Sequence, residues 1–421
     1  MKFPTTRRGA LLSMVAGAAV MLALPALAQD VTITFWGSYG NGGNSTQQDA
    51  LNNTLIPAFE AAHPGIKVQY VDVPYDSLLQ KLTTSAAGGE LPDLVRADLG
   101  WVPQFAKLGV LVPLSDAMAD FQELADKTYP GVLATNLYKG KYYGLPLDTN
   151  TRVLVTSQEA LDAAGLSAPP ATFDELKASA GKLKEAGISV FADGGLGAWN
   201  IMPWIWSGGG DITDPELTKS TGYLDSAQNV ATIQMLVDLY NAGQIPNLII
   251  GNQGATGTSD GLPSAEYANI FDGPWMAGIW KDQYPDFTPI YASVPAGPGG
   301  SVSVVGGEDI VVTASSPNQE AALEFVRFTQ SELFQVEMVK TGQMTVLPAY
   351  AEQQNAIAPF YATFAEQLKT AKNRLAISSA SKVDGILNTE LTAAFKGEVS
   401  VQDALTKAAG QIDALLAEEN S

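Results

Sequence analysis

The feature of this sequence that most constrains its fold is a repeated alternation of strand-like and helix-like segments. Apolar residues alternate with threonines from 31 to 35, and this period of two predicts a strand. Residues 51–59 place large apolar side chains on one helical face, and a second alternating strand follows at 66–70. A short strand-like segment at 94–97 then ends on Asp98. Alternation of this kind indicates an α/β protein.

Helix boundaries are also marked locally. Thr172 and Glu175 have the spacing of a capping box, in which the threonine side chain accepts a hydrogen bond from a backbone N–H of the first turn. Gly187 stands where the end of the same helix favours a left-handed residue. The segment Ser400–Asp403 opens a last helix. We therefore predict helices between the strands and a helical C-terminus.

Length and the supply of reactive side chains limit the possible classes of protein. The chain has 421 residues, a single His and no Cys. A single core usually stops growing at about 250–300 residues, so two folding units are predicted. Disulfides, thiolate chemistry and multi-His metal sites are excluded. The glycine-rich runs do not end in Gly-Lys-Ser/Thr, and no nucleophile elbow is present. No catalytic residue, metal or cofactor is therefore predicted.

The N-terminus has the pattern of a secretory signal peptide over residues 1–28. Arg7 and Arg8 precede the uncharged stretch Gly9–Leu24, and Ala26-Leu27-Ala28 forms a cleavage site. The uncharged stretch is shorter than the about 20 residues that a membrane-spanning helix needs. The paired arginines leave the twin-arginine and Sec export routes open. No Cys follows for lipid attachment, so a soluble periplasmic product is expected.

The net charge restricts the partners. The chain carries 44 Asp and Glu against 24 Lys and Arg, a formal charge of −20. A protein of this sign has no basic field to neutralise a phosphate backbone, and anionic lipid surfaces repel it. Neither nucleic acid nor a membrane surface is therefore an expected partner.

Several fragments in a fixed order carry a resemblance to one family. They are Thr34–Gly37, Ile56–Val68, Leu91–Leu94 followed by Asp98, Gly109–Leu114, Tyr143–Pro146, Phe271–Met276 and Ala321–Phe328. Together they resemble the extracellular solute-binding proteins of ABC importers, on the sugar-binding, maltose-binding-protein-like branch. The resemblance extends from about Val31 to the C-terminus.

This resemblance implies a two-lobed α/β fold of the periplasmic-binding-protein type, which closes on its ligand like a Venus flytrap. The N-terminal lobe would hold residues 29–147 plus 308–330, and the C-terminal lobe residues 148–307 plus 331–421. Three hinge crossings are expected near Pro146–Asn150, Gly306–Glu308 and Phe328–Glu332. The family also implies a monomer that delivers a sugar to an ABC permease in the inner membrane, without catalysis.

A sugar site needs aromatic plates for the C–H faces and polar groups for the hydroxyls. Trp275 matches the family segment whose Trp stacks on sugar, and we favour stacking there over core packing. For Trp36 and Trp101, ligand contact and packing remain alternatives. Trp199 is a candidate contact from the C-terminal lobe, and Tyr39 completes the aromatic candidates. For Trp204, Trp206 and Trp280, by contrast, core packing is favoured.

Asp98 is the leading polar candidate because it ends a strand, where open α/β sheets place their ligand sites. Its carboxylate would accept hydroxyl donors, and the alternative is N-capping of a helix beginning near Val102. Asn150 occupies the family position whose polar group reaches the ligand. Asp148 competes with it, and only one of the two is expected to face the cleft.

Three further candidates lie near the expected crossings. Arg152 would share a strand face with Asn150 and could bind a hydroxyl, although a structural salt bridge is the favoured alternative. Gly307 and Glu308 belong to the second crossing. The family often carries an aromatic or other polar residue at Glu308, so this position leaves the sugar preference open.

Two other functions remain as alternatives. The same fold could bind a non-sugar solute such as a polyamine, because an acidic cleft suits cations. A secreted glycosidase would also combine aromatic plates with carboxylates, but it needs two carboxyl groups roughly 5–9.5 Å apart. The main expectation is a periplasmic protein that captures a neutral mono- or oligosaccharide.

Overall fold

The computed structural model describes Met1 and residues 30–40, 45–251 and 257–420. The predicted signal peptide, apart from Met1, lies outside the described residues. Within those ranges no helix has the length and apolar character needed to cross a bilayer.

Ten strands in the described ranges form two larger sheets and a hairpin. The strands are β1 (Val31–Gly37), β2 (Ile66–Asp72), β3 (Leu94–Asp98), β4 (Leu137–Tyr138), β5 (Lys141–Tyr142), β6 (Gly144–Thr151), β7 (Val153–Thr156), β8 (Asn269–Asp272), β9 (Ile290–Ala292) and β10 (Val305–Val312). The first sheet has the order β2-β1-β3-β10-β6, in which β1 is parallel to β2 and β3 while β10 is antiparallel to both its neighbours. The second sheet has the antiparallel order β8-β7-β9, and β4 pairs with β5.

Helices cover both sheets. Those of the first half are α1 (Ser45–Ala50), α2 (Ile56–Ala62), α3 (Tyr75–Gly88), α4 (Val102–Lys107), α5 (Leu114–Ala117), α6 (Phe121–Ala125), α7 (Pro130–Leu133), α8 (Gln158–Ala163), α9 (Phe173–Glu185) and α10 (Ala198–Ser207). Those of the second half are α11 (Ala227–Asn241), α12 (Met276–Gln283), α13 (Gln319–Thr329), α14 (Glu332–Val339), α15 (Ala351–Ile357), α16 (Tyr361–Leu368), α17 (Ala380–Phe395) and α18 (Val401–Glu419). A π-helical turn at Leu51–Leu55 leads into α2.

The first sheet and its helices form the first lobe. Ile33 and Phe35 of β1 are fully buried, as the period of two predicts. Phe35 packs 5.5 Å from Phe325 of α13, and Phe59 of α2 meets Phe325 edge-on at 5.0 Å between ring centroids. The apolar face of each element is therefore covered by the next element of the same lobe.

The second sheet and its helices form the second lobe, with its own core. Phe271 of β8 lies 4.8 Å from Trp204 of α10, and Phe191 meets Trp204 edge-on at 5.0 Å. Trp204, Trp206 and Trp280 are only 1%, 4% and 1% exposed, which confirms that these three tryptophans are core residues. The α/β class and the two-lobed architecture are thus both present.

The local helix signals are also confirmed. Thr172 Oγ1 accepts a hydrogen bond from the backbone N–H of Glu175, and the Glu175 side chain accepts one from Ala171 N at 2.7 Å. Gly187 follows α9 with φ +80°. Ser400 caps α18 by accepting a hydrogen bond from Asp403 N at 3.1 Å. These short-range interactions depend only on residues three or four apart.

The packing of α14 differs from the third predicted crossing, at residues 328–332. Phe334 and Met338 of this helix are buried in the core of the first lobe. The chain joins the apolar cluster of the second sheet only at Val339. The apolar face of α14 complements the first core, so the chain stays in the first lobe for most of that helix and crosses later than the family pattern implied.

Candidate ligand-binding cleft

A cavity of about 480 Å³ opens between the two lobes, where β6 and β10 run along its floor. This volume falls within the range of roughly 300–1,000 Å³ that is typical of small-molecule sites. Its wall holds six carboxylate side chains and three arginines. Each arginine forms an ion pair with an acidic residue, so most of the positive charge is already matched by the protein.

The structure brings eight of the eleven predicted site residues together around this cavity. They are Asp98, Trp101, Asn150, Arg152, Trp199, Trp275, Gly307 and Glu308. Three predicted residues, Trp36, Tyr39 and Asp148, do not line it. The eight residues that line the cavity come from both lobes and from the strands that connect the lobes.

The three predicted residues that do not line the cavity are packed within the first lobe. Trp36 is half-buried in an apolar cluster, with the Lys81 ammonium 4.2 Å from its ring centroid. Tyr39 is fully buried in the core of the first lobe. Asp148 is 2% exposed and lies beside the guanidinium of Arg96. Trp36 and Phe35 are neighbours on β1, so their side chains point to opposite faces of the sheet.

Asp98 is held by the protein on both carboxylate oxygens. Its Oδ1 accepts hydrogen bonds from Arg374 Nη2 at 2.7 Å and from Gly100 N at 2.8 Å. Its Oδ2 accepts one from the Tyr75 hydroxyl at 2.6 Å. Helix α4 begins without a side-chain cap, so the N-capping alternative for Asp98 is not observed. Arg374 belongs to the second lobe, and the Asp98–Arg374 ion pair therefore spans the cleft.

Two aromatic pairs contribute to the walls. In the first lobe, Tyr75 and Trp101 lie 5.5 Å apart with their planes inclined by 33°. In the second lobe, Trp199 and Trp275 lie 6.3 Å apart, also inclined by 33°. Gly273 makes room for the Trp275 ring, because a Cβ at this glycine would lie 1.8 Å from the ring. The aromatic surfaces can offer flat apolar faces to a ligand from either side.

Arg152 forms the structural salt bridge that was the favoured alternative at this position. Its Nη2 lies 2.9 Å from Asp193 Oδ1 and donates to the Phe271 carbonyl oxygen at 2.5 Å. Its Nη1 donates to the Trp199 carbonyl oxygen at 3.2 Å. The guanidinium thus ties the ends of β8 and α10 together behind the aromatic pair of the second lobe.

Two amide side chains present unpaired oxygens at the cavity. Asn150 Oδ1 and Gln343 Oε1 are buried, and neither accepts a hydrogen bond from the described residues. Paired backbone hydrogen bonds between Thr149 and Met344, at 3.1 and 3.2 Å, hold the two segments side by side. Buried acceptors without a partner are costly, so these oxygens are suited to hydroxyl donors from a ligand.

Gln343→Met is expected to leave the free energy of unfolding unchanged or to raise it by about 1 kcal/mol, because the glutamine oxygen has no partner in the free protein. Gln335→Met is the matched control. The Gln335 amide is buried nearby and makes four hydrogen bonds, so its loss should cost about 2 kcal/mol or more. Chemical denaturation of both variants measures the difference. Equal destabilisation would contradict a ligand-facing role for Gln343.

Asp272 is a buried carboxyl group of the cavity wall that accepts a hydrogen bond from Gly273 N at 2.8 Å. Burial raises the pKa of Asp272 to about 7, although the charge of Arg152 opposes this. The pKa in the unfolded chain is about 3.9. The folded state therefore binds the proton of the Asp272 carboxyl group more tightly than the unfolded chain does. The stability that this protonation contributes is lost as the pH rises from about 4 through about 7.

We therefore expect the melting temperature of the free protein to fall over this pH range, and to fall less in Asp272→Asn. The difference between the two profiles amounts to at most about 4 kcal/mol, since one pKa unit is worth about 1.36 kcal/mol. Thermal unfolding at a series of pH values measures it. Parallel profiles would show that Asp272 titrates normally.

Sequence reasoning missed Tyr75, Asp193, Gln343 and Arg374. Only Gln343 had a local signal, the preceding Gly342, whose φ of +102° permits the loop to approach Trp275 closely. Arg374 and Asp98 are 276 residues apart, so no sequence pattern could have paired them. Among the described residues, no cluster of three or more His, Cys, Asp or Glu side chains is arranged to hold a metal ion.

Comparison with known proteins agrees with this geometry. Residues 42–335 match the family model of the bacterial extracellular solute-binding protein. A Brucella abortus protein named only as a binding protein is 27% identical, over 85% of this chain and 88% of its own. The diacetylchitobiose-binding protein of Streptomyces coelicolor is 24% identical, over 92% of this chain and 90% of its own.

A solved structure is similar over nearly the whole fold. It is an ABC transporter solute-binding protein of Thermotoga lettingae, bound with α-D-tagatose, which is 25% identical with a TM-score of 0.82. The comparison covers 92% of this chain and 100% of that one. With the family match extending over most of the sequence, this chain belongs to the bacterial extracellular solute-binding proteins.

Proposed function

We propose that this protein is the substrate-binding component of an ABC importer and captures a neutral mono- or oligosaccharide between its lobes. The observation that carries the proposal is the cleft itself, with an aromatic pair in each lobe and unpaired buried amide oxygens between them. The Streptomyces relative is named for a disaccharide, and the Thermotoga structure holds a monosaccharide. Both are sugars with apolar faces and hydroxyl donors.

Under this proposal, each of the eight candidate residues that line the cavity has a role. Trp101, Trp199 and Trp275 stack on or flank the sugar rings. Asn150 and Glu308 exchange hydrogen bonds with hydroxyls from the floor of the cleft. Asp98, Arg152 and Gly307 shape the wall, since the charged groups of Asp98 and Arg152 are already bound by the protein.

Closure would couple binding to transport. Contacts from both lobes reach the solute together only when the cleft is closed, so the solute stabilises closure by its difference in affinity between the two states. The Asp98–Arg374 ion pair at 2.7 Å and the Lys107–Glu419 pair at 3.2 Å already connect the lobes. A micromolar affinity of about −8 kcal/mol is sufficient to shift such an equilibrium.

The proposal also includes the context of the protein. Residues 1–28 would direct export by the Sec or the twin-arginine route, and the mature chain would act in the periplasm as a monomer. It would present the closed form to an inner-membrane permease, and it would neither bind nucleic acid nor catalyse a reaction.

A second candidate ligand is a polyamine. The cavity wall carries more carboxylates than arginines, and Asp272 forms no ion pair among the described residues. A solute with several ammonium groups would satisfy this excess of negative charge.

The deciding experiment is a binding panel on the purified mature protein. Tryptophan fluorescence and calorimetry would test glucose, tagatose, cellobiose, maltose, maltotriose, diacetylchitobiose and spermidine. We expect one or more of the sugars to bind, without hydrolysis, and to make the protein more compact in small-angle scattering. Binding of spermidine but of none of the sugars would favour the second candidate. Turnover of a disaccharide would instead indicate a glycosidase.

A further inference from the structure

Three acidic residues stand in one row across the first sheet, beside the cleft. On β10, Glu308 is the register partner of Asp98 on β3 and of Asp148 on β6. Directly opposed residues of neighbouring strands point to the same face, so the three carboxyl groups are adjacent. All three are at least nine-tenths buried. Like charges in this arrangement repel strongly, because little water screens them.

The row has only two cationic partners among the described residues. Arg374 Nη2 lies 2.7 Å from Asp98 Oδ1. Arg96 Nη2 lies 2.8 Å from Glu308 Oε2 and 3.5 Å from Asp148 Oδ2, so a single guanidinium serves two carboxyl groups. Three ionised carboxylates and two guanidiniums would leave one buried negative charge without a partner. Binding a proton costs less than burying such a charge.

The hydrogen bonds show where that proton belongs. Asp98 is satisfied by Arg374, Tyr75 and Gly100. Neither oxygen of Asp148 accepts an aligned hydrogen bond from the described residues, and neither does Glu308 Oε2, in spite of its proximity to Arg96. The unsatisfied oxygens thus lie on the two opposed carboxyl groups that share one cation. A proton between them supplies the missing donor.

We propose that Asp148 and Glu308 hold one shared proton in the free protein, which makes this side of the cleft electrically neutral. Asp148 then acts as a positioning residue, because it fixes the protonation of Glu308 without lining the cavity. Burial raises the pKa of Glu308 well above its ordinary value, and Asp148 raises it further against the opposing charge of Arg96.

The other groups around the pair do not supply the missing charge. Tyr39 follows β1 and Tyr75 belongs to α3, and burial raises the pKa of both well above the ordinary value, so they stay neutral. Burial has the same effect on Tyr70 of β2, whose hydroxyl donates to Asp72. Asp309, next to Glu308 on β10, accepts a hydrogen bond from Asn136 Nδ2 at 2.7 Å. Burial raises the pKa of Asp309 to about 8, so it needs its own control.

The consequence for the ligand rests on the proposed function. With the shared proton, three carboxyl groups and two guanidiniums carry no net charge, which matches a neutral solute such as a sugar. The proton itself belongs to the free protein. It can therefore be tested without any ligand, and its absence would leave the sugar panel to be judged independently.

The test uses the isosteric variants Asp148→Asn and Glu308→Gln, the double variant, and Asp309→Asn as control. In the free protein at pH 7, infrared spectroscopy detects the carbonyl band of protonated carboxyl groups. We expect each single variant to lose one carboxyl group from this band and the double variant to lose no more. In either single variant, only one carboxyl group of the pair remains beside Arg96. The charge of Arg96 stabilises its ionised form, so this group gives up the proton. The Asp309→Asn control removes its own protonated carboxyl group from the band, but it should retain the part that the Asp148 and Glu308 variants lose.

The pH dependence of stability provides the second readout. A raised carboxyl pKa gives stability that is present below pH about 4 and is lost as the pH rises through the folded value. Both single variants and the double variant should show the same reduction in the pH dependence of stability. This reduction should correspond to the loss of at most one bound proton. If one variant does not fold, the other decides the result. An unchanged band and pH profile, or a double variant that loses two protons, would overturn the shared proton.

Discussion

Arg152→Met is expected to lower the free energy of unfolding by about 3–5 kcal/mol, since removing one partner of a buried ion pair leaves the other charge uncompensated. Arg152 and Asp193 are both about 3% exposed and lie 2.9 Å apart. The same guanidinium also satisfies the carbonyl oxygens of Phe271 and Trp199. Denaturant unfolding followed by tryptophan fluorescence measures the loss.

Arg327→Met is the matched control for this measurement. Arg327 makes two hydrogen bonds to Asp120, at 2.7 and 2.9 Å, but the two side chains are 32% and 35% exposed. Pairs in such a setting contribute about 0–1 kcal/mol. If the two variants lost the same amount of stability, burial would not be the reason for the importance of Arg152.

Trp275→Ala is expected to weaken sugar binding by about 2 kcal/mol or more, which is roughly 30-fold in Kd. The ring is half-buried, lines the cavity and pairs with Trp199 at 6.3 Å, so it is available to stack on a sugar. The unfolding free energy of the unliganded protein should change by only about 1 kcal/mol. Calorimetry with the tightest sugar of the panel, together with thermal unfolding, separates the two effects.

Trp280→Ala provides the opposite pattern. Trp280 is 1% exposed, and its indole N–H donates to the Ser259 carbonyl oxygen at 2.8 Å. Removing this core side chain should cost about 3–5 kcal/mol of stability. A Trp275→Ala protein that resembled the Trp280 variant, with affinity intact, would show that Trp275 serves the core and not the ligand.

The sequence was most informative where a few neighbouring residues determine the structure. The alternation at 31–35 predicted β1, and Asp98 was placed at the end of β3 because it follows the short strand-like segment at 94–97. Trp275 was a candidate because its segment, Gly273–Met276, matches the family, and the structure places it in the cavity wall. The capping residues Thr172 and Ser400 acted as predicted, since their partners are three residues away.

Which side chains reach the cavity was not decided by the same local information. Trp36 was a candidate because it precedes the glycine-rich turn, but its side of β1 is covered by an apolar cluster and by Lys81. Asp148 and Asn150 are two residues apart on β6. Only Asn150 lines the cavity, because Arg96 of β3, which lies on the far side of β10 from β6, holds Asp148 in the wall.

By itself, the sequence predicted the α/β class and the first three strands from period, caps and short motifs, and its resemblance to the family implied the two lobes and the aromatic segments around the cleft. The tertiary structure alone decided the charge pairing. Arg374 reaches Asp98 across 276 positions, and Arg96 serves two carboxyl groups brought into register by β10. Ion pairs depend on distance in space and on burial, and neither quantity is encoded in the spacing of residues along the chain.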